Sequence, residues 1–100
     1  MAYSVYILYS EKLDVFYKGH TNDVQDRLKR HNNKQEEFSS KGVPWVLVWC
    51  AEKPTKAEAY QLELKLKNLS RSRLINFILK FSDGVASADE LLRVQQLSAR

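Results

Sequence analysis

"YSVYILYSEKLDVFYKGHTNDVQDRLKRHN", residues 3–32, decides how this chain begins to fold. Its first eight residues alternate: Tyr3, Val5, Ile7 and Tyr9 share one face of a strand, and Ser4, Tyr6, Leu8 and Ser10 the other. "EKLD", residues 11–14, reads as a turn, and "VFYKG", residues 15–19, as the returning strand of a hairpin. Gly19 lets other backbone or a ligand come close. A helix follows at once. Asn22 is its expected cap, Asp23 suits the positive end of the helix dipole, and Gln25 stands three residues after the cap. That helix runs to about Asn33.

Working outward, "KQEEFSSKG", residues 34–42, reads as a loop. "PWVLVWCA", residues 44–51, is apolar on both faces, so it reads as a strand covered on both sides. "PTKAEAYQLELKLKNL", residues 54–69, is a second helix, capped by Thr55 with Glu58 three residues later. "SRSRLINFILKF", residues 70–81, is a third, capped by Ser70, with Leu69 and Leu74 placed for a hydrophobic staple. From about Ser82 the character changes, and Ser87 with Glu90 repeats the capping pattern, which predicts a short C-terminal helix. The order β-β-α-β-α-α predicts an α+β fold on a small, mainly antiparallel sheet, with one domain over residues 1–82 and a tail over 83–100.

One hundred residues allow one modest core, and a 44% hydrophobic content excludes a disordered chain. No apolar run approaches the roughly 20 residues of a membrane helix. No signal peptide is expected, because Glu11, Lys12 and Asp14 arrive too soon after Met1. Cys50 is the only cysteine, which excludes a disulfide framework and a cysteine-based zinc site, fits a reducing cytoplasm, and reads as an inert core thiol. The net charge of +4 mildly favours an anionic partner such as nucleic acid.

Several polar residues occupy places where a small domain keeps apolar ones. In the first helix Val24 and Leu28 lie about 40° apart, with His31 about 20° and Arg27 about 60° from Val24. Two apolar residues make a thin stripe for three turns. Arg27 and His31 either snorkel past the core edge or face a site. Glu63 lies between the stripe of Ala59, Leu62 and Leu66 and that of Ala57, Tyr60 and Leu64. A carboxylate there needs a cation or hydrogen bonds. Lys67, four residues on, could serve as an ordinary helix pair. The other reading draws Tyr6, Tyr17, Arg27, His31 and Glu63 around one sheet edge, in a wet pocket suited to phosphodiester cleavage. There Glu63 would hold a divalent metal, Arg27 would neutralise the phosphate, and a phenol would position or deprotonate water.

The same residues resemble a known pattern. "SVY", residues 4–6, and "YKG", residues 17–19, resemble the two signature triplets of the GIY-YIG nuclease family. "TNDVQDRLKRHN" resembles its arginine helix, with Arg27 ten residues after Tyr17, and "KAEAYQLELKLKNLSR" its glutamate helix, with Glu63 as the acid. "KGVPWVLVW" looks like the strand of small stand-alone bacterial members, which are similar to the N-terminal domain of the excinuclease C subunit. The resemblance implies a three-stranded sheet with flanking helices. It also implies metal-dependent hydrolysis of DNA with one Mg²⁺ or Mn²⁺. Carried over, Tyr6 and Tyr17 are the signature tyrosines, Tyr17 being the preferred base with Tyr6 in support, and Gly19 is the signature glycine. His20 stands where some members keep a lysine near the attacking water. Arg27 is the phosphate clamp, His31 holds a position of histidine or tyrosine, and Glu63 is the metal ligand.

Ser4 opens the first triplet in place of glycine, and Lys18 fills the middle of the second. Alternation turns Lys18 away from Tyr17, toward an exposed face that could meet phosphate, with Arg27 and Arg30 as further nucleic-acid contacts. Asn76 lies near the asparagine many members carry after the glutamate. The implied setting is the cytoplasm, with no membrane partner, in DNA repair or processing and within a larger complex. RNA is an alternative substrate. The rival class is a binding module that holds nucleic acid through a degenerate site without cutting it.

Overall fold

The computed structural model describes residues 2–34 and 39–99, so part of the predicted loop, residues 35–38, lies outside the described residues. Strands β1 (Tyr3–Ser10) and β2 (Val15–Thr21) form the hairpin, followed by α1 (Val24–Asn32), β3 (Trp45–Lys53), α2 (Lys56–Lys67), α3 (Arg71–Lys80) and α4 (Ala88–Ser98). The fold is α+β. Its three strands are antiparallel in the order β2-β1-β3, so β1 is central and β2 is an edge.

Being central, β1 is buried at six consecutive residues, Val5 to Ser10. Its alternation separates two cores. Val5, Ile7 and Tyr9 join Ala59, Leu66, Leu74, Ile75, Ile78, Val94 and Leu97 under α2, α3 and α4. Tyr6 and Leu8 join Trp45 on the other face, packed by Val24 and Leu28 of α1. β3 is apolar on both faces as its sequence predicts, although it is an edge strand. A bulge opposite Ile7 and Leu8, which pair with Trp49 and Leu47, leaves Val48 over and sends both Val48 and Trp49 into the larger core. Cys50 is half-buried beside the smaller core. Burial and then Glu52 push its thiol pKa up, which favours the protonated thiol over the thiolate.

The first helix is capped by Asp23 rather than Asn22. The Asp26 N–H donates to Asp23 Oδ1 at 3.0 Å. The cause is the longer strand: β2 runs on through His20 to Thr21, so the helix starts one residue later. The other three caps fall where the sequence puts them, with Thr55, Ser70 and Ser87 each accepting from the backbone N–H three residues on. The hairpin turn holds Asp14 at φ 55, a conformation Asp tolerates. Arg71 of α3 grips it, donating to the Asp14 carbonyl at 2.6 Å and to Oδ1 at 2.7 Å, and the Tyr9 hydroxyl donates to the same Oδ1.

The C-terminal helix is docked, with Val94 and Leu97 buried in the larger core. The chain ahead of it is laced to β3: Trp49 Nε1 donates to the Phe81 carbonyl at 2.8 Å, and the Ala86 N–H to that of Val48 at 2.9 Å. Among the described residues no helix is long and apolar enough to cross a membrane.

Candidate active site

Edge strand β2 sorts the candidate residues by alternation. Tyr17 packs with Tyr6 in the smaller core beneath α1, whereas Phe16 joins the larger core and His20 reaches Glu63 of α2. Gly19 pairs with Tyr6 across the hairpin, and a Cβ there would lie 2.5 Å from the Tyr6 hydroxyl oxygen and 2.6 Å from Cζ. The signature glycine is therefore the seat of the signature tyrosine.

On the α1 side the Tyr6 and Tyr17 rings stack with centroids 6.3 Å apart, and the His31 ring meets Tyr17 edge-on at 4.7 Å. His31 is fully buried and completes the thin apolar stripe of α1. Its Nε2 shares a hydrogen bond with the Tyr6 hydroxyl at 3.3 Å, and its Nδ1 another with Ser39 Oγ at 2.7 Å. Ser39 is itself fixed through its carbonyl, which accepts from Trp45 Nε1 at 2.7 Å. Ser39 had no signal in the sequence, since it lies in a stretch read only as loop. Tyr6 is 2% exposed, so this cluster is packed interior rather than the wet pocket expected; Tyr17 alone of the three rings is half-exposed.

On the α2 side Glu63 is 7% exposed in line with Ala59 and Leu66. Its Oε1 receives His20 Nδ1 at 2.7 Å and its Oε2 the Lys67 ammonium at 2.8 Å. Burial pushes the Glu63 pKa up, but the hydrogen bonds and charges of Lys67 and His20 outweigh it and hold the carboxyl below its ordinary range. Glu63 in turn raises the pKa of Lys67, with smaller contributions from Tyr17 and Tyr60. The Tyr17 phenol, rooted on the other face, is thus within electrostatic reach of Lys67 around the strand edge. Arg27 lines a cleft of about 250 Å³ together with His20, Tyr3, Thr21, Asn22 and Lys56.

The candidate residues therefore wrap the edge of β2 instead of sharing one pocket. Arg27 and His20 share a cleft, His20 and Lys67 bracket Glu63, and Tyr17 approaches from the aromatic side. Three of the residues named from sequence stand apart. Lys18 is not on an exposed face: α2 and α3 roof that side of β2, so it is half-buried, and burial followed by the charge of Lys67 lowers its pKa. Arg30 is exposed and paired with Asp26 at 3.1 Å. Asn76 lines a different cavity of about 800 Å³, with Asp14, Ser70, Arg71 and Leu97, away from the other candidates.

Among the described residues no cluster of three or more side chains could hold a metal ion. A single ionised carboxylate still fits Mg²⁺, which commonly uses one or two carboxylates and fills its other positions with water and phosphate. Glu63 meets that need as a hard, deprotonated oxygen ligand. Its oxygens, however, already receive two cation-type donors.

A family model described as the GIY-YIG catalytic domain matches residues 2–76. A UPF0213 protein of Bacillus velezensis is 38% identical over 63 residues, which make up 62% of this chain and 64% of that protein. The UPF0213 protein YazA of Bacillus subtilis is 36% identical over 59 residues, 58% of this chain and 60% of that protein. The chain thus spans less than two thirds of the length of these two relatives. The solution NMR structure of the UPF0213 protein BH0048 from Bacillus halodurans superposes with a TM-score of 0.52 at 33% identity, covering 78% of this chain and 83% of that one. With the ordered motifs, the three-stranded sheet and the family match over most of its length, the chain belongs to the GIY-YIG family, whose catalytic domain is a nuclease-type fold, and it resembles the small UPF0213 proteins.

Proposed function

We propose that this chain is a divalent-metal-dependent endonuclease that hydrolyses phosphodiester bonds in DNA. The observation that carries the reading is Glu63: a nearly buried carboxylate kept ionised, whose partner His20 lines a cleft with Arg27. Arg27 holds the phosphoryl oxygens and steadies the charge that grows on them. The Tyr17 hydroxyl, half-exposed, positions the attacking water and, once it has lost its own proton to solvent, takes the water's proton as the phenolate. Tyr6 and His31 are positioning residues: the buried hydrogen bonds from Ser39 through His31 to Tyr6 hold the aromatic wall on which Tyr17 rests. Glu63 is the protein ligand for Mg²⁺ or Mn²⁺, and His20 orients its carboxylate. When bound, the cation supplies Lewis-acid charge that stabilises the leaving oxygen. The chain would serve DNA repair or processing in the cytoplasm, and its small basic surface suits work within a larger complex.

A nicking assay on supercoiled plasmid, with Mg²⁺ and with EDTA, tests this. The expected result is metal-dependent nicking by the native chain and none by Glu63→Ala, which still binds DNA. Equal nicking by both would refute the ligand role. One observation favours a second reading, a nucleic-acid-binding module without catalysis: both Glu63 oxygens are satisfied by protein groups. Binding without nicking, with affinity falling steeply as salt rises, would establish it.

A further inference from the structure

Glu63 is bracketed unequally. His20 reaches Oε1 from β2, is 21% exposed at its side chain, and has the Tyr60 ring edge-on at 5.9 Å. Lys67 reaches Oε2 from the last turn of the same helix, and its side chain is 50% exposed. An imidazole with two torsions, packed against a strand and a ring, has little room to leave. An ammonium on a four-carbon stem at a half-exposed helix end can swing into water, where it is strongly hydrated. A dication added beside the Lys67 ammonium would leave one carboxylate shared between two competing cations in a site of low exposure.

We infer that Lys67 is the resident counter-ion of Glu63 in the metal-free protein, and that it must surrender Oε2 before a divalent cation can be held. The inference rests on the reading of Glu63 as the metal ligand. Lys67 is then a positioning residue with two states. With no metal it neutralises the acid and keeps it from sitting buried and unpaired. With metal its ammonium is released from the half-exposed helix end into water. It follows that Lys67 weakens metal binding and guards the empty site, which an ordinary structural helix pair would not do.

The test is Mn²⁺ binding to the full chain, followed by calorimetry at constant ionic strength near neutral pH, for the native protein, Lys67→Met, Lys67→Arg and Glu63→Gln. Lys67→Met is expected to bind Mn²⁺ about tenfold tighter, since one competing charge is gone from a half-exposed position. Lys67→Arg is expected to bind no tighter than native, because the guanidinium still competes. Glu63→Gln should lose the site. If Glu63→Gln loses binding but Lys67→Met binds no tighter than native, the displacement idea is overturned while the ligand role of Glu63 stands. If native and Glu63→Gln bind alike, or neither binds, both fall. A second measurement needs no variant: ¹⁵N NMR of the lysine ammonium groups during a Mg²⁺ titration. The Lys67 signal should shift as the site fills, while that of exposed Lys65 on the same helix stays put. An unmoved Lys67 signal at saturating Mg²⁺ refutes the inference.

Discussion

On the α1 side of β2, His31 is wholly buried and held by hydrogen bonds to Tyr6 and Ser39 among stacked rings. On the α2 side, Glu63 is nearly as buried but is held by His20 and by the charged Lys67, which opens to water. The first arrangement is rigid, because every polar atom meets a fixed partner inside close packing. The second is exchangeable, because one partner can return to solvent at little cost. The proposed nuclease site uses both kinds of wall. The aromatic side fixes where a phenol points, and in the proposed reading the acidic side is the one that admits a cation. One strand builds both, since alternation along β2 sends Tyr17 one way and His20 the other.

Changes on the two sides should therefore have different signatures. The largest effect is expected from Glu63→Gln, which should lower metal-dependent plasmid nicking by about a thousandfold, roughly 4 kcal/mol of transition-state stabilisation, with DNA affinity kept in a gel-shift assay. Next is His31→Ala on the rigid side. Chemical denaturation should show about 3 kcal/mol lost, from the cavity and from the polar atoms of Tyr6 and Ser39 left without their partner. Loss of activity at Glu63 without much loss of stability, against the reverse at His31, would sharpen the contrast; matching losses in both would break it. Gly19→Ala should cost about 2 kcal/mol by the same denaturation measurement, because its Cβ would overlap the Tyr6 phenol and force that ring from its seat.

A smaller effect is set by pH. The folded-state pKa of Glu63 lies below its unfolded value, so the unfolded chain binds more protons in the interval between them. The stability from this group is complete above the unfolded pKa, about 4.3, and is lost as pH falls through the folded one. Thermal melts taken downward from pH 5 should fall less steeply for Glu63→Gln than for the native chain. An equal slope would mean that Lys67 and His20 contribute nothing through the ionised acid. The smallest effect belongs to Arg30→Ala, an exposed ion-pair partner, where a melt should move by no more than about 0.5 kcal/mol.

What the residue order determined is local. Period-two alternation in β1 marked both of its faces, and the caps at Thr55, Ser70 and Ser87 were legible because each hydrogen bond spans three residues. The resemblance also named Tyr6, Tyr17, Arg27 and Glu63 as candidates, which remain part of the proposal. The first cap was misplaced because β2 continued past Gly19, and pairing with β1 across the hairpin, not propensity, set that length. Only the tertiary structure decided that β1 is central, that Val48 bulges, and that α3 covers the side of Lys18. It alone brought Ser39 to His31 and His20 to Glu63, 43 residues along the chain. Such contacts leave no periodic trace, because they depend on which sheet face each helix covers, and that choice is made by burying apolar area over the whole chain at once.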